Sequence, residues 1–280
     1  MEIPEPAALP GILESLASWQ HNGAPFQLHP GDIGWHWRFG ADATAIAMRV
    51  WAAAGETVAV GLVDGPTLRL ALPSDGLDDA LVTSVVADIE GTDVATVEAP
   101  RGSAVRSRLA DHGWTEGELW TPLARDLSEP IDVEGLAVTV TDQLTVAPRV
   151  SVHRGAFEGS SFTAELWRQM ALGPAYRSAR CVVGWDSSGM PVAGATVWSA
   201  GRGRPGLLEP LGVPPEHRGR GYGTAIALAA AAALRDLGAS TALVGTPSTN
   251  TAGVATYVAA GFVRGSQMPD LARPQTSKRT

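Results

Sequence analysis

Apolar and polar positions along the chain change period repeatedly, so short strands and helices alternate throughout. In the second half, residues 136–141, 180–185, 192–199 and 241–245 have the strand period. Asp186-Ser187-Ser188-Gly189 supplies a turn between the middle two. Helical spacing predicts elements at 149–157 and 163–170, and a long alanine-rich helix at 221–237. Before that helix, residues 206–213 read as a strand interrupted by Pro210 and Gly212, which predicts a bulge or a splayed edge. A short helix capped by Asn250 and closed at Gly261-Phe262 follows. In the first half, 34–39, 44–51, 57–63, 66–72 and 93–97 read as strands, with a turn at 52–55 and a helix at 76–89. The pattern predicts a mixed α/β chain with a mostly antiparallel sheet flanked by helices.

The segment Arg218-Gly219-Arg220-Gly221-Tyr222-Gly223, continuing into Thr224, lies between the interrupted strand and the long helix. Its glycines permit a tight turn that brings backbone amides close to a ligand. The free N–H groups and the positive end of the helix dipole favour an anion there. Arg218 and Arg220 add forked cationic donors. The segment reads as a cradle for a pyrophosphate. A P-loop would need Gly-Lys-Ser/Thr, and the dinucleotide fingerprint has a different glycine spacing.

Arg218, Gly221, Gly223, Asn250, Tyr257, Gly261 and Phe262 together resemble the GNAT superfamily of acetyl-CoA-dependent N-acetyltransferases. The resemblance is specific over about residues 133–265. It implies acetyl-CoA as co-substrate, its pyrophosphate on the loop amides, pantetheine beside the splayed strand, and the thioester near Leu211, Gly212 and Val213. It also implies that Tyr257 is the acid that protonates the departing thiolate. Glu209, on the splayed strand, has two readings: a base that takes the ammonium proton, or a carboxylate that is exposed or paired with an arginine. Backbone amides near Val213 are candidates for stabilising the oxyanion.

The first half reads as an older copy of the second. Shifted by 148 residues, Gly113-Trp114 falls on Gly261-Phe262, Leu109 on Tyr257 and Gly102 on Asn250. Repetition at this scale means two similar domains. In the first copy the loop before the helix is Pro73-Ser74-Asp75-Gly76-Leu77-Asp78-Asp79, acidic and without arginine. Its aspartates satisfy the helix dipole themselves and repel a pyrophosphate. The expectation is a degenerate GNAT-like domain over 1–128 that does not bind CoA, a catalytic GNAT domain over 133–270, and a disordered tail over 271–280. Tandem GNAT proteins of the mycothiol synthase type divide in this way. The segment after Phe262 is short and polar where the family has a further strand. The expectation is a last strand that is brief, or one supplied by the other domain or by a partner chain, as in a homodimer.

Composition narrows the function. A net charge of −8 argues against a general nucleic-acid binder and fits an amine-bearing acceptor. The one cysteine, Cys181, excludes an internal disulfide and reads as a buried strand thiol. No His/Cys/Asp/Glu cluster has metal-ligand spacing, so no metal is expected. The start of the chain is acidic and proline-rich, unlike a signal peptide, and the longest apolar run, 224–234, is too short to span a bilayer. A cytoplasmic enzyme without membrane contact is therefore expected. Among other residues, His153 reads as a helix-surface group or a base near the acceptor. Trp35 and Trp37 read as core positions of one strand face, and Trp167 and Trp198 as packing or pocket-lining. The expected reaction is acetyl transfer to a primary amine of a small-molecule acceptor. An acyl-CoA-binding module without turnover, another acyl donor, or a protein N-terminus as acceptor remain open.

Overall fold

The computed structural model describes residues 1–274. In chain order the first half contains α1 (Leu9–Ser18), α2 (Pro30–His36), α3 (Ala41–Ala47), β1 (Met48–Ala53), β2 (Glu56–Asp64), β3 (Thr67–Ala71), α4 (Asp79–Glu90), β4 (Thr96–Glu98), α5 (Ala104–Asp111) and β5 (Thr115–Asp126). The second half contains β6 (Ala137–Val140), α6 (Val146–Ala156), α7 (Ala164–Ala171), β7 (Ala179–Trp185), β8 (Pro191–Ser199), β9 (Gly206–Gly212), α8 (Tyr222–Asp236), β10 (Thr241–Pro247), α9 (Thr251–Ala259), β11 (Val263–Arg264) and β12 (Met268–Ala272).

All the strands join one sheet in the order β1-β2-β3-β4-β12-β5-β10-β9-β8-β7-β6, with β11 also on β5. The first half contributes β1 to β4 at one side and the second half β6 to β10 at the other, and each half passes one strand, β5 or β12, into the middle. β5 leaves the first half to pair antiparallel with β10, from Thr241↔Asp126 to Pro247↔Trp120. β12 returns from the second half to pair with β4 at Leu271↔Val97 and Ala272↔Thr96. β12 and β5 also pair with each other at the centre. The strand missing from the second half thus comes from the first domain.

Three expectations need correction. The strands expected at 34–39 and 44–51 are largely helical: α2 and the 3-10 turn Trp37–Phe39 replace one, and α3 takes the start of the other before β1 begins at Met48. Pro30 sits in the first turn of α2, and the His29 side chain accepts from the N–H of Gly31. The Asp32 carboxylate accepts from the N–H of His29, closing a capping box that starts the helix. Trp35 and Trp37 therefore do not share a strand face; Trp37 is buried and Trp35 packs on His153 and Phe162. The tail expected to be disordered from residue 271 begins inside β12. Beyond it, the Arg273 guanidinium donates to the carbonyls of Ile89, Glu90, Thr92 and Val94, closing the end of α4. The rest of that tail, 275–280, lies outside the described residues.

The alanine-rich α8 lies flat on the second-half strands, with Ala227, Ala230, Ala231 and Leu234 fully buried. Small side chains let it approach closely: a Cβ at Gly206 on β9 would come within 2.5 Å of Leu234. α4 covers the first half in the same manner through Val82, Val85, Val86 and Ile89.

Candidate active site

In the sheet the parallel pairings are β3 with β4 and β9 with β10, one in each half. They differ where it matters. In the first half the ladder continues through Arg69↔Glu98. In the second half it stops at Leu207↔Leu243, and the strands part beyond it. The sequence explains the parting. Between Ala195↔Leu211 and Val197↔Leu208 the β8·β9 register shifts, so Glu209 and Pro210 form a bulge. Proline has no N–H to give the ladder.

Two cavities open from the parting. One, of about 700 Å³, lies over the glycine loop and is lined by Leu211, Gly212, Val213, Arg218, Gly219, Gly221, Gly223 and Thr224. Gly219 and Gly221 have φ of 74° and 81°, the left-handed region that glycine alone enters readily, and Gly221 is the N-cap of α8. Arg218 is exposed but tied down: its Nε donates to the Val213 carbonyl at 3.0 Å and an Nη to that of Ala156 at 3.4 Å. It braces the loop against β9 and the end of α6. Arg220 and Tyr222 do not line this cleft; Tyr222 packs against the α8 core.

The other cavity, of about 430 Å³, lies between the halves. Asp64, Arg69 and Glu98 reach it from the first half, Glu209 from the second, and Trp120 and Asp270 from the two exchanged strands. Phe157, Leu211, Asn250 and Tyr257 line both cavities and so mark their junction. Asn250 is held in place at both ends of its side chain. Its Oδ1 caps α9 at the N–H of Gly253, and its Nδ2 donates to Thr246 Oγ1 at 3.1 Å.

Arg69 organises the charges. It pairs with Asp32 at 2.8 Å and Glu98 at 3.0 Å, and stands 3.8 Å from Glu209. The arginine-paired reading of Glu209 thus holds in part, because the nearer carboxylates take the guanidinium first. Burial raises the Glu209 carboxyl to about 8; Arg69 opposes the rise, and Asp32 and Glu98 add to it. Burial, followed by the charge of Glu209, also raises the Tyr257 phenol. Glu209 and Tyr257 both line the inter-domain cavity.

His153 is not a surface residue. It is 7 % exposed and packed by Trp35, Phe157 and Phe162. Burial lowers it to about 3, with help from Arg149 and Arg38, so it is a poor proton acceptor at neutral pH. Trp167 and Trp198 are core residues, and Trp167 donates to the buried Cys181 thiol at 3.4 Å. Asp32, Arg69, Glu98 and Asp270 were not found from the sequence. Among the described residues, no group of three His, Cys, Asp or Glu is placed to hold a metal ion, and no helix is long and apolar enough to cross a membrane.

Residues 151–262 match the model of the acetyltransferase (GNAT) family. The chain carries a GNAT acetyltransferase domain. Solved structures extend the likeness of fold to the whole length. A GCN5-related N-acetyltransferase from Sphaerobacter thermophilus is 18% identical over 97% of this chain and 94% of that one, with a TM-score of 0.59. A tandem GNAT protein from the clavulanic acid biosynthesis pathway is 18% identical over 97% and 96%, at 0.57. A GNAT-family acetyltransferase from Colwellia psychrerythraea is 14% identical over 96% and 97%, at 0.63. No curated protein matches the sequence. The fold is thus that of two GNAT-like domains in tandem. GNAT enzymes use acetyl-CoA in general, and the residues of the glycine-loop cleft fit its pyrophosphate: backbone amides at a helix N-terminus, with no carboxylate among the lining residues.

Proposed function

We propose that the second domain transfers an acetyl group from acetyl-CoA to a primary amine of a small molecule bound between the domains. The observation that carries this reading is the inter-domain cavity, which Glu209 and Tyr257 both line and which Tyr257 joins to the glycine-loop cleft. The glycine-loop cleft holds the CoA; the inter-domain pocket holds the acceptor. An acceptor arrives as an ammonium ion. Glu209 takes its proton, and the free amine attacks the thioester carbonyl. The N–C bond forms; as the C–S bond breaks, Tyr257 gives a proton to the departing thiolate and is reprotonated by the second proton that the nitrogen loses. Because the thioester is already activated, most of the acceleration comes from holding amine and carbonyl together.

The first domain has no second CoA site in this reading. Its strands stay paired at the place where β9 and β10 part. Asp78 caps α4 by accepting from the N–H of Leu81, and so occupies the position a phosphate would need.

A calorimetric titration of acetyl-CoA tests the donor side. One site per chain, weakened in the Arg218→Ala/Arg220→Ala variant, is the expected result; two sites would overturn the degenerate-copy reading. On the acceptor side, Tyr257→Phe should lower turnover, read as free CoA thiol, far more than it lowers acetyl-CoA affinity. An unchanged rate would remove Tyr257 from the role of acid.

A further inference from the structure

The inter-domain pocket gathers more acidic groups than one reacting amine requires. Four carboxylates line it, Asp64, Glu98, Glu209 and Asp270, against the single guanidinium of Arg69. Asp32 lies behind them and claims Arg69 at the shortest distance of the three. Arg38 stands on the Asp64 and Glu209 side, stacked on Trp35 and Phe39, and its charge acts on both carboxylates.

Asp270 has weaker compensation: the charge of Arg106 acts on it, without an ion-pair contact. Among the described residues no lysine, arginine or histidine pairs with it. The nearby Arg106 spends one Nη on the Pro269 carbonyl at 2.7 Å. Asp270 is 8 % exposed, and its Oδ1 is buried without a hydrogen-bond partner. Trp120, on the same wall, also has a buried indole N–H without a partner. The β12·β5 register shifts between Pro269 and Leu271, so Asp270 sits at an irregularity in the ladder rather than within it. A Cβ at Gly117 would meet Asp270 Oδ1, so only glycine there makes room for the carboxylate. Burial raises the Asp270 carboxyl, and a cation brought into the pocket would favour its charged form.

We propose that the pocket selects acceptors with two cationic nitrogens, one presented to Glu209 and the other held by Asp270 and Glu98. The ligand class is an α,ω-diamine or a longer linear polyamine. The aromatic and apolar lining, with Trp120, Phe157 and Met268, suits the methylene chain between the nitrogens. The proposal rests on the amine-acceptor reading for its first nitrogen and on Asp270 for its second.

The test is calorimetric titration of the full chain, without acyl donor, using 1,4-diaminobutane and n-butylamine. A charged hydrogen bond inside a pocket predicts about tenfold or more in favour of the diamine. Asp270→Asn keeps the shape and should bring the two ligands within about twofold; Glu98→Gln should reduce the preference in part. Melting curves of both variants check that they fold. Equal affinities in the wild-type chain, or a preference that survives both substitutions, would overturn the proposal. The titrations contain no thioester, so the two readings fail separately. If no amine releases CoA thiol, the transfer reading falls while a measured diamine preference stands. If butylamine and diaminobutane bind alike and both are acetylated, transfer stands and the second-cation subsite falls.

Discussion

The indole Nε1 of Trp198 donates to the carbonyl oxygen of Glu209 at 2.8 Å. Trp198 is 1 % exposed, on β8, and Glu209 is in the β9 bulge. The bulge takes this carbonyl out of the ladder, and the indole supplies the partner that the neighbouring strand does not. A buried core residue thereby fixes the backbone of the proposed base. Trp198→Phe keeps most of the packing and removes the donor. Stability should fall by about 1 kcal/mol. We expect kcat to drop roughly fivefold as Glu209 loses its fixed position. Affinity for acetyl-CoA should not change; parallel losses in kcat and donor affinity would mean that Trp198 only supports the fold.

The raised carboxyl of Glu209 fixes the direction of the pH profile. A base works deprotonated, so kcat/KM should climb as pH rises through about 8 and level off above it. Glu209→Gln should lower the rate by about 10²-fold or more and flatten that limb. A wild-type rate already level from pH 6 upward would assign the proton to another acceptor.

The packing of α2 on the second half is tight enough to be tested with one methyl group. A Cβ at Gly34 would approach the Trp198 ring to 2.3 Å. Gly34→Ala should therefore destabilise the protein by about 1–3 kcal/mol through overpacking. Gly11, in α1, has no neighbour within 4 Å of its added Cβ. Gly11→Ala should stabilise by about 0.5 kcal/mol through helix propensity. Chemical denaturation of the two variants gives opposite signs if this geometry is right.

Acid should loosen the joint between the domains. His29 is 1 % exposed; its Nδ1 accepts from the N–H of Gly31 and its Nε2 lies 3.3 Å from the Pro205 carbonyl. Burial lowers it to about 4, against a partial pull upward from Asp32. The folded protein keeps His29 neutral while the unfolded chain binds a proton near 6.5. Stability is therefore complete above that pH and is lost as pH falls from 6.5 towards 4, by roughly 3 kcal/mol for this residue. His153 acts in the same direction over a window reaching to about 3. In NMR titrations neither imidazole should change charge near pH 6.5, and a midpoint there for His29 would contradict its neutral state.

Much of the second domain could be read from local spacing. Arg218 to Thr224, Asn250, Tyr257 and Gly261-Phe262 fall in one stretch, and each owes its position to its own helix or turn. The repeat was legible for the same reason, since α5 and α9 begin and end at matching places. Failures came where local pattern and long-range structure disagreed. Ile33, Trp35 and Trp37 alternate like a strand, but Pro30 and the His29–Asp32 box make a helix, with histidine in place of the usual hydroxyl or carboxamide cap. Arg69, Glu98 and Asp270 have no shared motif. They meet only because strands 174 residues apart pair at Leu271↔Val97, and no local window holds that information.

The exchanged strands also set an order of events for the newborn chain. When the first 126 residues have left the ribosome, β4 has no neighbour on one side and β5 has none at all. The open β4 edge, which ends at Glu98, must stay unpaired until β12, starting at Met268, emerges, and such edges attract other chains. Contacts this distant in sequence also form slowly. The tandem arrangement therefore behaves in folding as one indivisible unit, and a cell gains no finished first domain by making half of the protein.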